Sequence, residues 1–196
     1  MKIYTDIEQG TEEWLKLRAG KFTASDALAI ATNGAGLITL CFEKVAERET
    51  GLPARKEYTN EDIERGREKE EIACSAYDLE TNQITTKVAF VEKNEWVGCS
   101  PDRLVGEDGL LEVKCPGDGK FVQYRYDRKI ESKYYQQMQM QLLITDRKWC
   151  DYAVFNEKFP KQIIITRVER DEAAIEKLRI GLEAGEEKVK EILSRI

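Results

Sequence analysis

The pattern of hydrophobic and polar residues along the chain predicts six helices. In the fourth and the last of these segments apolar residues recur at helical spacing, and in the three N-terminal ones capping residues, end charges and helix stops indicate the helix. Thr11 begins the first segment as a typical N-cap, and Gly51 follows the third as a typical helix stop. The predicted helices cover residues 11–18, 25–31, 40–49, 60–79, 133–145 and 171–196.

The predicted helix 60–79 carries a carboxylate on its apolar face. The residues on that face are Ile63, Gly66, Glu70, Ala73, Cys74 and Tyr77. A glycine inside a helix usually permits the close approach of another element. An inward carboxylate needs a cation, a proton or hydrogen-bond donors. Glu70 is therefore a candidate functional acid, and the alternative is a side chain at the edge of the core.

Between the helices, runs rich in β-branched and aromatic residues predict five strands. They cover residues 84–92, 95–105, 110–114, 149–155 and 162–168, and a GEDG turn joins the second and third as a hairpin. The sequence shows no internal repeat or linker, and 196 residues are enough for one compact domain. The prediction is a single α/β domain over residues 1–196, with a mixed central β-sheet flanked by helices.

The absence of histidine narrows the chemistry that the chain can perform. It excludes Ser-His-Asp and Cys-His nucleophile systems and zinc sites with histidine ligands. Acid–base chemistry must then use carboxylates, lysine, tyrosine or a metal-bound water. The 37 Asp and Glu residues favour a hard cation such as Mg²⁺ or Mn²⁺.

The cysteines and the apolar runs indicate where the protein resides. The five cysteines form no CxxC pair, which is typical of thiols in a reducing compartment. The polar N-terminal segment lacks a signal-peptide core, and no apolar run is long enough to span a membrane. We therefore expect a cytoplasmic protein with no membrane partner.

The segment CSPDRLVGEDGLLEVKCP, residues 99–116, places three charged side chains around the predicted hairpin. In a strand Glu112 and Lys114 share one face, and the hairpin brings Asp102 back beside Glu112. Two adjacent carboxylates repel each other unless a cation lies between them, so a divalent metal is the expected occupant. The Val113 carbonyl is a further candidate ligand, and Glu70 offers a third acid.

Lys114 would then lie one side chain from a metal-bound water. It can help to deprotonate or orient that water, or stabilise charge on a phosphoryl oxygen. Such an assembly suits phosphodiester hydrolysis without histidine. The alternative for Glu112 and Lys114 is an ordinary charged strand surface.

The net charge of −6 argues against a protein that coats nucleic acid non-specifically, but the charge is uneven. Residues 114–133 hold more bases than acids and could bind nucleic acid locally, or could simply be a solvated helix face. The bases are Lys114, Lys120, Arg125, Arg128, Lys129 and Lys133, and the acids are Asp118, Asp127 and Glu131. The tyrosines at 124, 126, 134 and 135 could stack on bases, with core or rim packing as the default.

Four ordered segments carry a family resemblance. SPD followed by EVK matches the PD-(D/E)xK nuclease pattern, and EEWLKLRAGKFTASD, RGREKEE and YYQQMQMQLLIT accompany it. Together, from Trp14 to Thr145, they resemble the lambda exonuclease or YqaJ-type viral recombinase family. The resemblance implies a restriction-endonuclease-like fold in a single domain.

The resemblance also implies roles for the acidic residues. Asp102, Glu112 and Glu70 would form the site for two Mg²⁺ ions, with Mn²⁺ as a substitute, and Lys114 would serve the attacking water. Arg103 follows Asp102 where the lambda enzyme has a glycine, which adds either a DNA contact or a surface charge.

Two further groups of polar residues take roles from the resemblance. Gln137 would orient Lys114 or the water, although Gln139 and Gln141 leave that register open. Four residues would together bind a DNA phosphate, which we expect to be the 5′-terminal one. They are Arg18, Thr23, Ser25 and Ser100. For Arg18 a helix C-terminal cation is the alternative, and for Thr23 and Ser25 the alternative is helix capping.

The activity that the resemblance implies is a Mg²⁺-dependent 5′-to-3′ exonuclease acting on the ends of double-stranded DNA. It would leave 3′ single-stranded tails, and 5′-phosphorylated ends would be preferred. Its partners would be a phage single-strand annealing protein and two further copies of the chain in a ring-shaped homotrimer, in a bacterial host cell and encoded by a phage or prophage. The last helix also carries a heptad-spaced seam, which could pack on the protein's own sheet or on another subunit. Its residues are Ile175, Leu182, Val189 and Ile196, with Leu178 and Ile192 between them.

Two other functions fit the same fold. A repair or CRISPR-associated nuclease with an iron–sulfur cluster would need closely spaced cysteines near the C-terminal end, but the last cysteine is Cys150. A DNA-binding protein without catalysis is the second alternative. Retention of Asp102, Glu112 and Lys114 argues against it.

Overall fold

The computed structural model describes residues 1–54 and 61–196, with the side chains of 61–68 excepted. The helices are α1 (Glu12–Arg18), α2 (Ala27–Thr32), α3 (Ala35–Thr50), α4 (Glu61–Thr81), α5 (Asp118–Asp127), α6 (Ser132–Thr145) and α7 (Glu172–Leu193), with a 3₁₀ turn at Ala24–Asp26. The strands are β1 (Lys2–Tyr4), β2 (Phe22–Thr23), β3 (Thr85–Lys87), β4 (Phe90–Glu92), β5 (Val97–Cys99), β6 (Arg103–Val105), β7 (Gly109–Lys114), β8 (Trp149–Phe155) and β9 (Ile163–Glu169). The predicted helix start at Asn60 and the inward positions of Ile63 and Gly66 lie outside the described residues and side chains.

The strands form two sheets, which corrects the expectation of one central sheet. The first has the order β1-β4-β5-β2 and the second the order β3-β6-β7-β8-β9. Both sheets are mixed, because β2 runs parallel to β5 and β7 runs parallel to β8 while their other pairs are antiparallel. The predicted class of a mixed α/β domain flanked by helices is confirmed.

Each of the two long predicted strands is divided between the sheets. Residues 84–92 become β3 and β4, and residues 95–105 become β5 and β6. Pro101 lies at the second break, and a proline has no N–H to continue a ladder. At the first break Ala89 N donates to Tyr4 O at 2.9 Å, so the chain changes its partner from β6 to β1. The segment that carries Asp102 therefore lies between the two sheets.

Most predicted helices begin and end close to the expected residues. Thr11 caps α1 by accepting a hydrogen bond from Trp14 N, and Gly51 ends α3 in the left-handed region at φ +69°. Helix α5 was not predicted because only Phe121 and Tyr124 of its ten residues are buried. A polar ten-residue helix with two inward side chains gives little periodic signal.

Helix α7 packs on the chain's own helices α2 and α3. Its buried residues include Ile175, Leu178 and Val189 of the predicted seam, while Ile196 at the end is 75% exposed. A Cβ at Gly181 would collide with the Ile30 carbonyl oxygen, so this glycine permits the close approach of α7 to α2. The seam is thus occupied within the chain, and mainly by helices instead of the sheet that was expected.

Helices cover both faces of the second sheet. Ala73, Cys74 and Tyr77 of α4 are buried with Leu111 and Val113 of β7, as their spacing predicted. Helices α5 and α6 cover the opposite face. Consequently the side of β7 that carries Glu112 lies beneath α6.

In the part of the chain that the structure describes, none of the helices has the length and apolar character needed to cross a membrane.

Candidate active site

The β6–β7 hairpin brings Asp102 to Glu112. Arg103 pairs with Leu111 and Val105 with Gly109, so the same register continued by one residue places Asp102 opposite Glu112. Asp102 Oδ2 accepts a hydrogen bond from Val113 N at 2.6 Å, which fixes the carboxylate against the end of β7. An N–H and the C=O of the same residue point to one edge of a strand, so the Val113 carbonyl points to the same edge.

Glu112 is held on both oxygens. It is only 1% exposed, and its Oε1 accepts from Lys114 Nζ at 2.5 Å and from Gln137 Nε2 at 2.8 Å. Its Oε2 accepts from Gln141 Nε2 at 2.8 Å. Gln139 faces away, because its Nε2 donates to the Glu169 carbonyl. The glutamines at 137 and 141 lie one turn apart, and both reach Glu112.

Burial and neighbouring charges shift the pKa values of the acids and of the lysine at the site. Burial and the nearby Glu112 carboxylate raise the pKa of Asp102 well above its usual value. Burial also raises the pKa of Glu70. Burial disfavours the ammonium of Lys114, but the Glu112 and Asp102 carboxylates outweigh it and raise the pKa of Lys114. The two carboxylates thus stabilise the ammonium form of Lys114.

Arg103 corrects the expectation of a surface charge or a DNA contact. It is 5% exposed, and its guanidinium donates to the Asp102 carbonyl at 2.7 Å and to Glu71 Oε2 at 2.5 Å. Its Nη1 lies 3.8 Å from Glu70 Oε1. Arg103 thus ties α4 to the Asp102 segment and holds Glu70 at the edge of the site. Its partner Glu71 was not among the predicted site residues.

The four predicted phosphate-binding residues come together in the structure. Arg18 Nη1 donates to Ser100 Oγ at 3.4 Å, and Nη2 donates to Thr23 Oγ1 at 3.4 Å and to Ser25 Oγ at 3.3 Å. The guanidinium stacks 4.3 Å from the Trp14 ring. We call these four residues, Arg18, Thr23, Ser25 and Ser100, the Arg18 cluster.

Trp14 has a second role besides core packing. Its Nε1 donates to Ser100 Oγ and to the Ala89 carbonyl, both at 3.0 Å. It therefore orients Ser100 as well as the Arg18 guanidinium. The short distance between Trp14 and Arg18 in the sequence, four residues on one helix face, was the available signal for this contact.

The Arg18 cluster and the carboxylates are adjacent in the chain. Only Pro101 separates Ser100 from Asp102. Two residues of chain span at most about 7 Å between Cα atoms. A group bound at Ser100 is therefore a near neighbour of the Asp102 carboxylate.

The acidic residues suit a divalent cation by their chemistry. Asp102 and Glu112 offer hard oxygen ligands, and the raised pKa of Asp102 reflects a buried carboxylate that a cation would stabilise. Among the described residues, no three Asp, Glu or Cys side chains already form a metal-ligand group. Lys114 and the two glutamines occupy the Glu112 oxygens, and Glu70 lies toward Arg103.

The fold and this site define a class of protein. A mixed α/β domain that brings an Asp, a Glu and a Lys together at the end of a central hairpin is a PD-(D/E)xK-type nuclease domain. The YqaJ-like viral recombinase domain matches residues 13–148 of the chain. The chain belongs to this family, as the sequence segments indicated.

Solved structures agree with the family. The alkaline exonuclease LHK-Exo from Laribacter hongkongensis is 34% identical, with a TM-score of 0.85 over 94% of this chain and 97% of that chain. LHK-Exo in complex with dAMP matches equally well. A phage-related exonuclease from Haemophilus somnus 129PT, 18% identical over 89% of this chain and 96% of that chain, shares the fold with a TM-score of 0.71. No curated protein matches the chain by sequence.

Proposed function

We propose that the chain is a metal-dependent deoxyribonuclease that degrades one strand of double-stranded DNA from its end. The observation that carries the proposal is the proximity of the Arg18 cluster to Asp102, with one residue between Ser100 and Asp102. Family membership and the likeness to an alkaline exonuclease support the same class of activity.

The proposed cofactor is Mg²⁺, with Mn²⁺ as a substitute and two ions per site. Asp102 and Glu112 would hold the ions, with Glu70 and the Val113 carbonyl as further ligands. When bound, such ions lower the pKa of a water and neutralise charge on the phosphate. The protonated Lys114 stabilises negative charge on a phosphoryl oxygen, while Gln137 keeps the Glu112 carboxylate oriented.

The Arg18 cluster suits a terminal 5′-phosphate. An arginine presents a fork of donors to phosphate oxygens, and three hydroxyl groups lie within 3.4 Å of its nitrogens. A terminal phosphate at Ser100 would keep the next phosphodiester of the same strand close to Asp102. This order favours hydrolysis from the 5′ end toward the 3′ end, which leaves a 3′ single-stranded tail.

The proposed biological setting follows from the family. We expect the protein to act in phage-type recombination in a bacterial host, in the cytoplasm, beside a single-strand annealing protein and as a ring-shaped homotrimer. The α7 seam gives the trimer no support, because it packs on α2 and α3. The iron–sulfur alternative has no support either. All five cysteines lie among the described residues, and no three of them group together there.

Digestion of matched linear duplexes with 5′-phosphate or 5′-hydroxyl ends tests the proposal, in Mg²⁺ and in EDTA. We expect rapid loss of one strand from phosphorylated ends in Mg²⁺, slower loss from hydroxyl ends, and none in EDTA. End-labelled strands report the direction. Cutting of closed circles with no effect of the phosphate would contradict the end-processing activity.

Lys114→Ala supplies the catalytic control. We expect this variant to lose hydrolysis by at least about 10²-fold while still binding DNA ends. Its thermal unfolding should remain cooperative, because Lys114 is half-buried at the end of a strand. Absence of cleavage by the unaltered protein with every divalent ion would support the non-catalytic DNA-binding alternative.

A further inference from the structure

The chain between α5 and α6 is basic although the protein is acidic. Residues 125–133, which we call the basic segment, contain four bases and two acids in a chain of net charge −6. The bases are Arg125, Arg128, Lys129 and Lys133, and all four side chains are exposed. The segment covers the last turn of α5, the connection, and the start of α6.

Most of these charges are not used inside the protein. Across the described part of the chain, Arg125, Arg128 and Lys129 have no ion-pair partner, whereas Lys133 pairs with Glu131 at 3.1 Å. Asp127 Oδ1 accepts from the backbone N of Lys129 at 2.9 Å. A cation near the C-terminus of α5 complements the helix dipole, but that effect involves only the last turn. The remaining positive charge is available to a partner.

The basic segment ends beside the candidate catalytic lysine. Two ammonium groups lie over the ring of Tyr134. Lys133 Nζ is 4.6 Å from the ring centroid, and Lys114 Nζ is 5.1 Å from it. The two ammonium groups therefore lie within about 10 Å of each other. Phosphates follow each other by about 3.4 Å along the axis of a duplex, so the two ammonium groups are separated by no more than roughly three base-pair steps.

The tyrosines indicate which form of DNA the surface suits. Binding of single strands relies on aromatic rings that stack on successive bases. Tyr124 and Tyr135 instead hydrogen-bond within the protein, to Thr166 and Asp171, and Tyr134 packs on Tyr152. Tyr126 is 91% exposed, whereas Tyr134 and Tyr135 are half-buried and Tyr124 is buried. Charge without a stacking platform favours the phosphate backbone of a duplex.

We infer that the basic segment binds the phosphates of the double-stranded DNA that has not yet been degraded. The inference rests on the proposed function for the identity of the substrate. Each neutralised phosphate contributes to a salt-dependent affinity that does not depend on base sequence. The segment would thus hold the duplex near the site without taking part in hydrolysis.

The test compares two triple variants of the full chain that remove the same charge. The first is Arg125→Gln, Arg128→Gln and Lys129→Gln. The control is Lys2→Gln, Lys177→Gln and Arg179→Gln, in β1 and α7. Fluorescence anisotropy of a labelled duplex, in EDTA and at several salt concentrations, gives the affinity and its dependence on salt.

We expect the first variant to bind duplex at least about tenfold more weakly at low salt. The slope of log affinity against log salt should fall by up to about 0.9 for each phosphate that the variant no longer neutralises. The control should change little in either quantity. Equal decreases of duplex affinity in the two variants would mean a general charge effect and would overturn the inference. An unchanged salt slope would also overturn it, and so would a first variant that binds only single-stranded DNA more weakly.

Strand degradation at saturating duplex separates this inference from the proposed function. We expect kcat of the first variant to equal that of the unaltered protein, with KM raised. If neither protein cuts DNA but the slope changes as expected, the surface stands and the nuclease proposal fails. If the first variant and the unaltered protein both cut DNA and have the same salt slope, the surface inference fails while the nuclease proposal stands.

Discussion

Gln141 Nε2 donates to Glu112 Oε2 at 2.8 Å, and this bond completes the set of donors around a carboxylate that is almost wholly buried. Gln137 and Lys114 satisfy the other oxygen. A buried carboxylate that loses a donor carries the full cost of its desolvation. Gln141 is therefore a positioning residue for the candidate metal ligand Glu112.

Replacing Gln141 by leucine should impair both stability and the site. We expect a loss of about 1–3 kcal/mol in unfolding free energy, because Glu112 Oε2 loses its donor. We also expect weaker Mn²⁺ binding in calorimetric titration and at least tenfold slower strand degradation.

Gln139→Leu is the matched control, because Gln139 is as buried as Gln141 but bonds to Glu169 and Asp171. It should lose stability while keeping its Mn²⁺ affinity. Equal Mn²⁺ affinities of the two variants would contradict a role of Gln141 in holding Glu112.

Replacing Lys44 by methionine should disturb the Arg18 cluster from a distance. Lys44 Nζ lies 3.1 Å from Glu47 Oε2 and 3.5 Å from Asp26 Oδ2, and all three side chains are buried. Asp26 Oδ2 in turn accepts from the N and Oγ1 of Thr23, at 3.0 and 3.1 Å. Two buried carboxylates without their cation destabilise a protein by about 3–5 kcal/mol. We expect KM for 5′-phosphorylated duplex to rise toward that for 5′-hydroxyl duplex, with kcat little changed.

Lys93 is exposed, but its Nζ donates to the Leu143 carbonyl at 2.7 Å, so Lys93→Met removes a bonded lysine ammonium that has no contact with Asp26 or Glu47. It should destabilise the fold and leave the preference for phosphorylated ends intact. A full preference for phosphorylated ends in folded Lys44→Met protein would show that Lys44 and its two carboxylates only support stability.

Alternation along a strand was sufficient to predict the central part of the site. Because side chains alternate, Glu112 and Lys114 had to share a face, and the hairpin turn had to bring back Asp102. The structure places them so, with Asp102 bonded to Val113 N. The burial of Glu112 beneath α6 could not be predicted from β7 alone, since it depends on the packing of a later helix.

Other features depended on residues that are distant in sequence. The sequence around Arg103 predicts a surface charge or a DNA contact because its partner Glu71 lies 32 positions earlier. The division of the predicted strands depends on pairing choices, such as that of Ala89 with Tyr4, that no local pattern encodes. The pair Gln137 and Gln141 has the four-residue spacing of one helix face, so that contact was accessible from sequence.

The close packing of α7 on α2 predicts a strong effect of one methyl group. Gly181→Ala would place a Cβ against the Ile30 carbonyl oxygen, which is backbone and cannot rotate away. We expect a loss of about 1–3 kcal/mol in urea denaturation, as for other overpacked cores. Gly119→Ala in α5 meets no atom within 4 Å and should instead stabilise the protein by up to about 1 kcal/mol. Equal changes in the two variants would contradict the close approach of these helices.

Asp171 predicts a pH dependence of stability. Its carboxylate accepts hydrogen bonds from Tyr135 OH at 2.7 Å and from Ala173 N and Ala174 N at the start of α7. These bonds lower the pKa of Asp171 below its usual 3.8, and the bond from Tyr135 has the largest effect. A lowered folded-state pKa gives stabilisation that is complete above the usual value and is lost as the pH falls through the folded-state value. The difference in unfolding free energy between the protein and Asp171→Asn should therefore be full near neutral pH and shrink below about pH 4. In Tyr135→Phe, NMR titration should show a carboxyl pKa closer to 3.8, and an unchanged titration would mean that the tyrosine bond does not hold this charge.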